Sequence, residues 1–440
     1  MKGTFRSLAI FNYRLWFFGA LVSNVGTWMQ RTAQDWIVLT QLTDHDAAAV
    51  GVTMALQFGP QLLLSPLTGL VCDVFDRRRI LIVTQSTMAA LGLGLGILTV
   101  AGLVELWMVL VFALALGIAS AFDAPARQTF VGSLVPPKLL SNAVGLNATS
   151  FNSARLIGPA VAGVLILVIG AGWVFLINTL TFAATILAIA GMRRDELEVQ
   201  ARAPRVPGRM MAGFAYLRGR SDLMLLFSMV ALIGTFGMNF PIFLSTMAVE
   251  FAAGAGGFGA LTSVMAIGSL FGALLSARRE RPRIAVIALA CAAFAITIGL
   301  AAWAPNVWIF GAILTVTGIA SISMLNSANA YVQTTTPPTV RGRVMSLYMA
   351  IFVGGTLVGA PLVGWVANVA GPRWAMEVGA ASGLVAAVIA VIYFVRTRHL
   401  HLRWEGTWHW PIRVSYDDPD RERELATAEI AVVETEELKS

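Results

Sequence analysis

Apolar residues fill most of this chain, in long runs parted by short polar turns. The runs fall at about 14–40, 47–72, 79–101, 104–123, 141–169, 172–192, 222–248, 257–277, 284–303, 306–332, 344–369 and 373–395. A helix needs about 20 such residues to cross a bilayer. The pattern predicts an all-α polytopic membrane protein with twelve transmembrane helices, called spans one to twelve below. Twelve spans put both termini on one side. The loops on that side carry twenty-one Lys and Arg residues, whereas the opposite loops carry only Arg373. The positive-inside rule then makes both termini cytoplasmic and the protein a multi-pass protein of the cell membrane.

The longest polar insertion, 193–220, splits the runs into two sets of six. The reading is a bundle over 1–192, a linker over 193–221 whose residues 205–219 form a basic surface helix, a second bundle over 222–396, and a tail over 397–440 that is mostly mobile. The two sets are related. Pro136-Pro137 opens span five and Pro337-Pro338 precedes span eleven, an offset of 201 residues. The same offset aligns Gly158 with Gly359, Gly163 with Gly364, and Gln128 with Asn329. A parallel six-plus-six repeat of this kind is a transporter architecture.

The turn between spans two and three reads Gly69-Leu70-Val71-Cys72-Asp73-Val74-Phe75-Asp76-Arg77-Arg78-Arg79. Gly69 permits close approach of a neighbouring helix. Asp73, four residues on, sits at a membrane edge and needs a cation or a helix N-terminus. This string resembles the loop signature of the major facilitator superfamily, with Val74 where the family has a basic residue and Asp76 where it has Gly. The stretch Ala154-Arg155-Leu156-Ile157-Gly158-Pro159-Ala160-Val161-Ala162-Gly163 is similar to span five of the bacterial drug/proton antiporter branch that includes enterobactin-type siderophore exporters. Asp123-Ala124-Pro125-Ala126-Arg127-Gln128 and Arg341-Gly342-Arg343 resemble the same branch. The resemblance implies the major facilitator fold, two pseudo-symmetric six-helix bundles. It also implies that spans two, five, eight and eleven form the interface between them. Small residues recur there every fourth position, and Gly158, Gly163, Gly268, Gly272, Gly355 and Gly359 are expected to line that sliding interface. Gly69, Asp73, Asp76, Arg77, Arg78, Asp123 and Arg127 are read as the gating motif.

Composition narrows the function. The chain of 440 residues is 57% hydrophobic and 12% charged, with a mean hydropathy of +0.75. Soluble domains carry about 25% charged residues. The net charge of +7 reflects loop orientation rather than a nucleic-acid partner. Cys72 and Cys291 lie in or beside apolar runs and make no disulfide scaffold. All four histidines lie in loops or tail, no Cys/His set has metal spacing, and no phosphate-binding Gly-x4-Gly-Lys-Ser/Thr loop occurs. The chain is therefore read as no enzyme, with no cofactor and no use of ATP. Its tail from Arg396 opens with basic and aromatic residues, an interfacial anchor, and turns acidic after 417.

Polar residues inside the spans carry the chemistry. On span one, Asn24, Trp28, Arg31 and Asp35 share one helical face, widened by Gln34. Arg155 stands near the middle of span five with Asn152 one turn earlier, and has no acid on its own helix. Asp35 or Asn24 of span one, a carbonyl, or an anionic substrate are its candidate partners. Asp35, Arg31 and Arg155 are the proton-coupling candidates. Asn24, Trp28, Gln34, Asn152, Asn239, Asn326, Asn329 and Gln333 are candidates for lining a cavity. In the second half the only acids read near the spans are Glu250 and Glu377, at the edges, so proton coupling is placed in the first. The resulting expectation is a monomeric secondary transporter in the lipid bilayer, exporting small amphipathic, drug-like or siderophore-like molecules against protons. An importer or facilitator of another solute or a lysolipid, and a non-transporting membrane sensor or scaffold, stay open as alternatives.

Overall fold

The computed structural model describes residues 5–197, 209–277, 283–397, 401–404 and 412–415. Ten of its helices are long and apolar enough to cross a membrane. Spans one and two complete the twelve. Span one, Phe11–Ile37, is studded with polar residues and ends in a wider π turn, Val38–Leu42. Span two is split into Ala47–Leu63 and Ser65–Val74. Pro66 has no N–H to give the Leu62 carbonyl, and the Ser65 hydroxyl donates to that carbonyl instead, at 2.9 Å. Span seven is split in the same manner, into Ser221–Leu232 and Phe240–Glu250 around a π turn at Ile233–Gly237. There Asn239 Nδ2 donates to the Thr235 carbonyl at 2.7 Å, replacing a ladder bond lost near Pro241. The remaining spans are three (Arg77–Val100), four (Leu106–Phe130), five (Leu140–Ile169), six (Ala171–Ala190), eight (Gly254–Ala277), nine (Ile284–Ala302), ten (Val307–Thr335), eleven (Pro338–Ala370) and twelve (Pro372–Thr397).

A short helix, Arg209–Arg218, precedes span seven. Beyond span twelve, His401–Trp404 pairs antiparallel with Ile412–Ser415, a small β exception to the all-α expectation. Residues 416–440, including the acidic stretch, lie outside the described residues.

The loop turns are built by capping. Asp76 caps span three, its Oδ1 accepting from the backbone N–H of Arg78 at 2.7 Å and of Arg79 at 3.3 Å. This is the work of an acid where a Gly was expected. Arg78 donates to the carbonyl of Ile189 at 2.8 Å, and Arg77 reaches the carbonyl of Thr129 at 3.5 Å. Both arginines thus sit at the C-terminal ends of spans six and four, where a cation offsets the exposed carbonyls.

The halves meet mainly toward the end opposite those arginines. Gly163 of span five lies so close to Gly259 of span eight that a Cβ on it would stand 2.6 Å from the Gly259 Cα. Gly364 of span eleven meets the backbone of Ala47 in span two. The Trp36 and Phe258 rings stack at 5.6 Å. Toward the arginine end the halves part. On span five the face that carries Gly158, Ala162 and Ile166 is buried, yet the same face about two to five turns nearer the arginines carries Leu140, Val144 and Phe151, all exposed. A cavity therefore enters between the halves from the arginine end.

The interface glycines need correction. Only Gly163 among the six expected residues faces the other half. Gly158 packs on span one, with Trp28 Cβ 2.5 Å from its would-be Cβ. Gly268 and Gly272 pack on span ten at Thr315 and Ile319, and Gly355 and Gly359 on span seven at Thr235. These glycines let helices of one half close on each other. A period of four selects a helix face but not the neighbour that occupies it.

Candidate functional site

Spans one and five run side by side in fixed register. Tyr13 Oη donates to the Ala143 carbonyl at 2.8 Å, 130 residues away, and Trp28 meets Gly158 at the same separation. Residue n of span one is therefore level with residue n+130 of span five. Arg155 is level with Val25 and one residue from the level of Asn24. Asp35 is level with Leu165, ten residues or about 15 Å farther along the bundle. That distance overturns the pairing of Arg155 with Asp35.

The face of span one is occupied as follows. Trp28 makes an edge contact with Phe151 of span five, centroids 6.1 Å apart. The Arg31 guanidinium lies 5.4 Å from the Trp28 ring centroid and 4.6 Å from that of Phe58 in span two, both within cation–π range. Its Nε is buried without a hydrogen-bond partner. Asp35 is 4% exposed, and its Oδ1 likewise has no partner. Among the described residues no cation lies within ion-pair distance of Asp35, so Arg31, one turn away on the same face, makes no bridge to it in this conformation. The rings of Trp28 and Phe58 have taken the guanidinium. Gln34 is buried and donates to the Val109 carbonyl of span four at 3.3 Å, away from the cavity.

Arg155 is half-buried and makes no hydrogen bond, ion pair or ring contact among the described residues. Its direction follows from helical phase. Gly158 faces span one and Gly163 faces span eight. At 100° per residue Arg155 falls between the two, one turn from Pro159, whose carbonyl approaches Gly259. It stands in the wedge where span eight departs from span five, at the apex of the cavity. The side chain of Asn152 and the side chain of Asp73 lie outside the described residues, as do the surroundings of Gly69.

The expected gate pair is tied inward. Arg127 Nε donates to Asp123 Oδ2 at 2.9 Å. Asp123 Oδ1 accepts from Thr84 Oγ1 and Gln85 Nε2, both at 2.8 Å, and Gln85 accepts in turn from Ser23 at 3.1 Å. Arg127 also lies over Trp16, 5.5 Å from its centroid. The network joins spans one, three and four of one half and, among the described residues, makes no hydrogen bond or ion pair to the other. The second half holds a counterpart that the sequence reading missed. Asp222, 7% exposed, accepts from Arg220 at 2.8 and 2.6 Å and from Tyr331 Oη at 2.8 Å. Its place beside Arg220, at the edge of an apolar run, made it look like part of a loop. Two hydrogen bonds join the halves at the far end: Asn368 Nδ2 donates to Asp46 Oδ1 at 2.6 Å, and the Ala47 N–H donates to Asn368 Oδ1 at 2.8 Å.

The second half's cavity candidates divide. Asn239 is buried and spent on its own helix. Gln333 donates to Asn329 one turn away at 2.5 Å, and Asn326 is exposed. Among the described residues no group of three His, Cys, Asp or Glu side chains is placed to hold a metal ion.

A family model described as "transmembrane secretion effector" matches residues 2–423. The staphyloferrin A transporter of Staphylococcus aureus (strain NCTC 8325 / PS 47) is 24% identical over 88% of this chain and 96% of its own length. The enterobactin exporter EntS of Escherichia coli (strain K12) is 23% identical over 82% of this chain and 87% of its own. The macrolide efflux protein A of Streptococcus pyogenes is 28% identical over 46% of this chain and 50% of its own. Among solved structures, a bacterial homologue of the human lysosomal transporter Spinster, inward-facing and occupied, superposes with a TM-score of 0.67 at 15% identity, covering 89% of this chain and 98% of that one. A D-xylose–proton symporter does so at 0.67 and 13%, covering 86% and 96%. At these identities the structural likeness concerns the fold.

Proposed function

The chain belongs to the transmembrane secretion effector family of the major facilitator superfamily, and from that premise we propose that this secondary transporter is a monomeric, proton-coupled exporter of small amphipathic or siderophore-like molecules. The names of its relatives support the direction and the substrate class. The distribution of Lys and Arg supports cytoplasmic termini, which makes the cavity one that opens to the cytoplasm and receives substrate from it. The halves over 1–192 and 222–396 rock about the Gly163–Gly259 and Gly364–Ala47 seams, where two small residues leave the backbones free to slide.

One observation carries the coupling. Asp35 is a buried carboxyl with an orphaned oxygen, and the one arginine a turn away is engaged by two aromatic rings. A buried acid without a partner is costly to keep, and transporters use such acids to carry protons. In the cycle Asp35 takes a proton when the cavity opens outward and releases it to the cytoplasmic side, while substrate moves the other way. Arg31 turns between the rings and the carboxylate to set which state holds the proton.

The test is efflux from proteoliposomes. A transported compound is first chosen from a panel of siderophores and macrolides by thermal stabilisation in detergent. Wild-type protein accumulates it against its gradient when protons are supplied. Asp35→Asn loses that accumulation but keeps exchange at equal pH, and Asp35→Glu keeps part of it. Accumulation by Asp35→Asn sinks the coupling role. Indifference of the wild type to a pH gradient points to a facilitator, and binding without flux to a sensor.

A further inference from the structure

We propose that Arg155 and Asn24 form the point at which an anionic group of the transported molecule, a carboxylate on an aromatic or otherwise apolar body, is held. The proposal rests on the export reading and names the chemistry of its cargo.

The first support is elimination. Among the described acids within the spans, Asp123 is saturated by Arg127, Thr84 and Gln85, and Asp222 by Arg220 and Tyr331. Asp35 lies about 15 Å along the bundle from the level of Arg155. Among the described residues Arg155 therefore has no acid to answer its charge at mid-span, and a charged residue inside a span faces a water-filled cavity or a partner. Its wedge between spans one and eight is where the cavity ends.

The second support is Asn24. It stands at the same level on the facing helix and makes no side-chain hydrogen bond among the described residues. Asn24 is 8% exposed, and its amide is not among the fully enclosed, unpartnered groups that include Gln57 and Asn239. A guanidinium fork and an amide donor at one level of the seam between spans one and five match a carboxylate. Above that point the Trp28 and Phe151 rings meet edge to face, and the exposed face of Phe151 (45%) offers an apolar wall for the body of the same molecule.

The test compares a matched pair of probes, 2-naphthoate and its neutral amide 2-naphthamide, by titration calorimetry on the full-length protein in detergent. Wild-type protein is expected to bind the carboxylate about tenfold more tightly than the amide, the scale of one charged hydrogen-bonded contact. Arg155→Gln should abolish that preference, Arg155→Lys should retain part of it, and Asn24→Ala should reduce it about threefold. Gel-filtration profile and melting temperature near wild type confirm that each variant is folded. Equal binding of the two probes by wild type, binding of neither, or an unchanged preference in Arg155→Gln overturns the proposal. Because the measurement uses no gradient, it stands or falls separately from the Asp35 efflux test.

Discussion

Span five rests on span one through Gly158 against Trp28, and span eleven rests on span seven through Gly359 against Thr235. The offset of 201 residues carries one glycine onto the other, and their partners lie on spans one and seven, 207 residues apart. It also carries Gly163, which meets span eight, onto Gly364, which meets span two, and Gly117, packed on Leu56 and Gln57, onto Gly318, packed on Met265. The frame is thus repeated helix pair by helix pair. The chemistry is not. The position equivalent to Arg155 is Thr356, and Phe151 corresponds to Phe352. Where the first seam holds Asn24, Trp28, Arg31, Asp35 and Arg155, the second is closed by Thr235 and aromatic carbon. Backbone approach is what both halves need in order to fold, and charge at mid-span is needed by only one of them.

The strongest way to break the comparison is to fill both seams. Gly158→Leu would drive a side chain into Trp28 and the Val25 carbonyl, 2.9 Å from the Cβ position. Gly359→Leu would do the same to the Thr235 carbonyl. Backbone cannot yield as a side-chain tip can, so both variants should lose most of their folded yield, read as monodisperse protein by gel filtration. Gly163→Ala, at the seam between halves, should fold and lose transport. If Gly158→Leu folds normally and only transport fails, span five slides on span one and the two seams are not equivalent.

A second comparison concerns the two ion pairs. Removing Arg127 leaves the buried Asp123 without its cation, a change of about 3–5 kcal/mol in comparable sites. Arg220 is about a third exposed in its pair (32%), so solvent already screens Asp222 and Arg220→Ala should cost clearly less. Melting temperatures of the two variants in one detergent check the order. A larger drop for Arg220→Ala would mean that Asp222, not Asp123, anchors its half.

Much of the frame was legible in the sequence because each signal was local. Apolar runs set the twelve spans. The proline pairs at 136 and 337 give the repeat. The site was harder to read. Asn24, Trp28, Arg31 and Asp35 do share a face, but Arg31 turns to Phe58, which lies on another helix and whose nearness no spacing within span one reveals. The same limit misplaced five interface glycines and left Asp35 among the candidate partners of Arg155, since the register of spans one and five appears only once Tyr13 is seen to reach Ala143. Asp222 was lost for the opposite reason: its neighbours in sequence are loop-like, and its partner Tyr331 is 109 residues away.

The smallest expected effect lies where the halves touch. At the end opposite the cavity a crevice of about 750 Å³ is lined by residues of both halves, including Asp46, Glu250 and Asn368. Asn368 spans it with two hydrogen bonds, to the Asp46 carboxylate and the Ala47 N–H. Both bonds exist only while this end is shut, because Asp46 starts span two and Asn368 ends span eleven. Asp46 has a second duty that survives opening, since its Oδ1 also caps span two at Ala49, 3.0 Å away. Asn368→Ala therefore removes the cross-half bonds without uncapping the helix, whereas Asp46→Ala removes both. Solvent reaches this site, so the loss is about 1 kcal/mol, or roughly a fivefold shift toward the state open at this end. A cysteine introduced at Leu39, in the wall of the crevice, reports the shift by its rate of labelling with a membrane-impermeant maleimide. The native Cys72 and Cys291 are buried and give little background. The labelling rate should rise about fivefold in Asn368→Ala with an unchanged melting temperature, and Asp46→Ala should raise the rate and lower the melting temperature together. An unchanged rate in Asn368→Ala would mean that the Gly163–Gly259 and Gly364–Ala47 contacts hold this end shut without help from the polar pair.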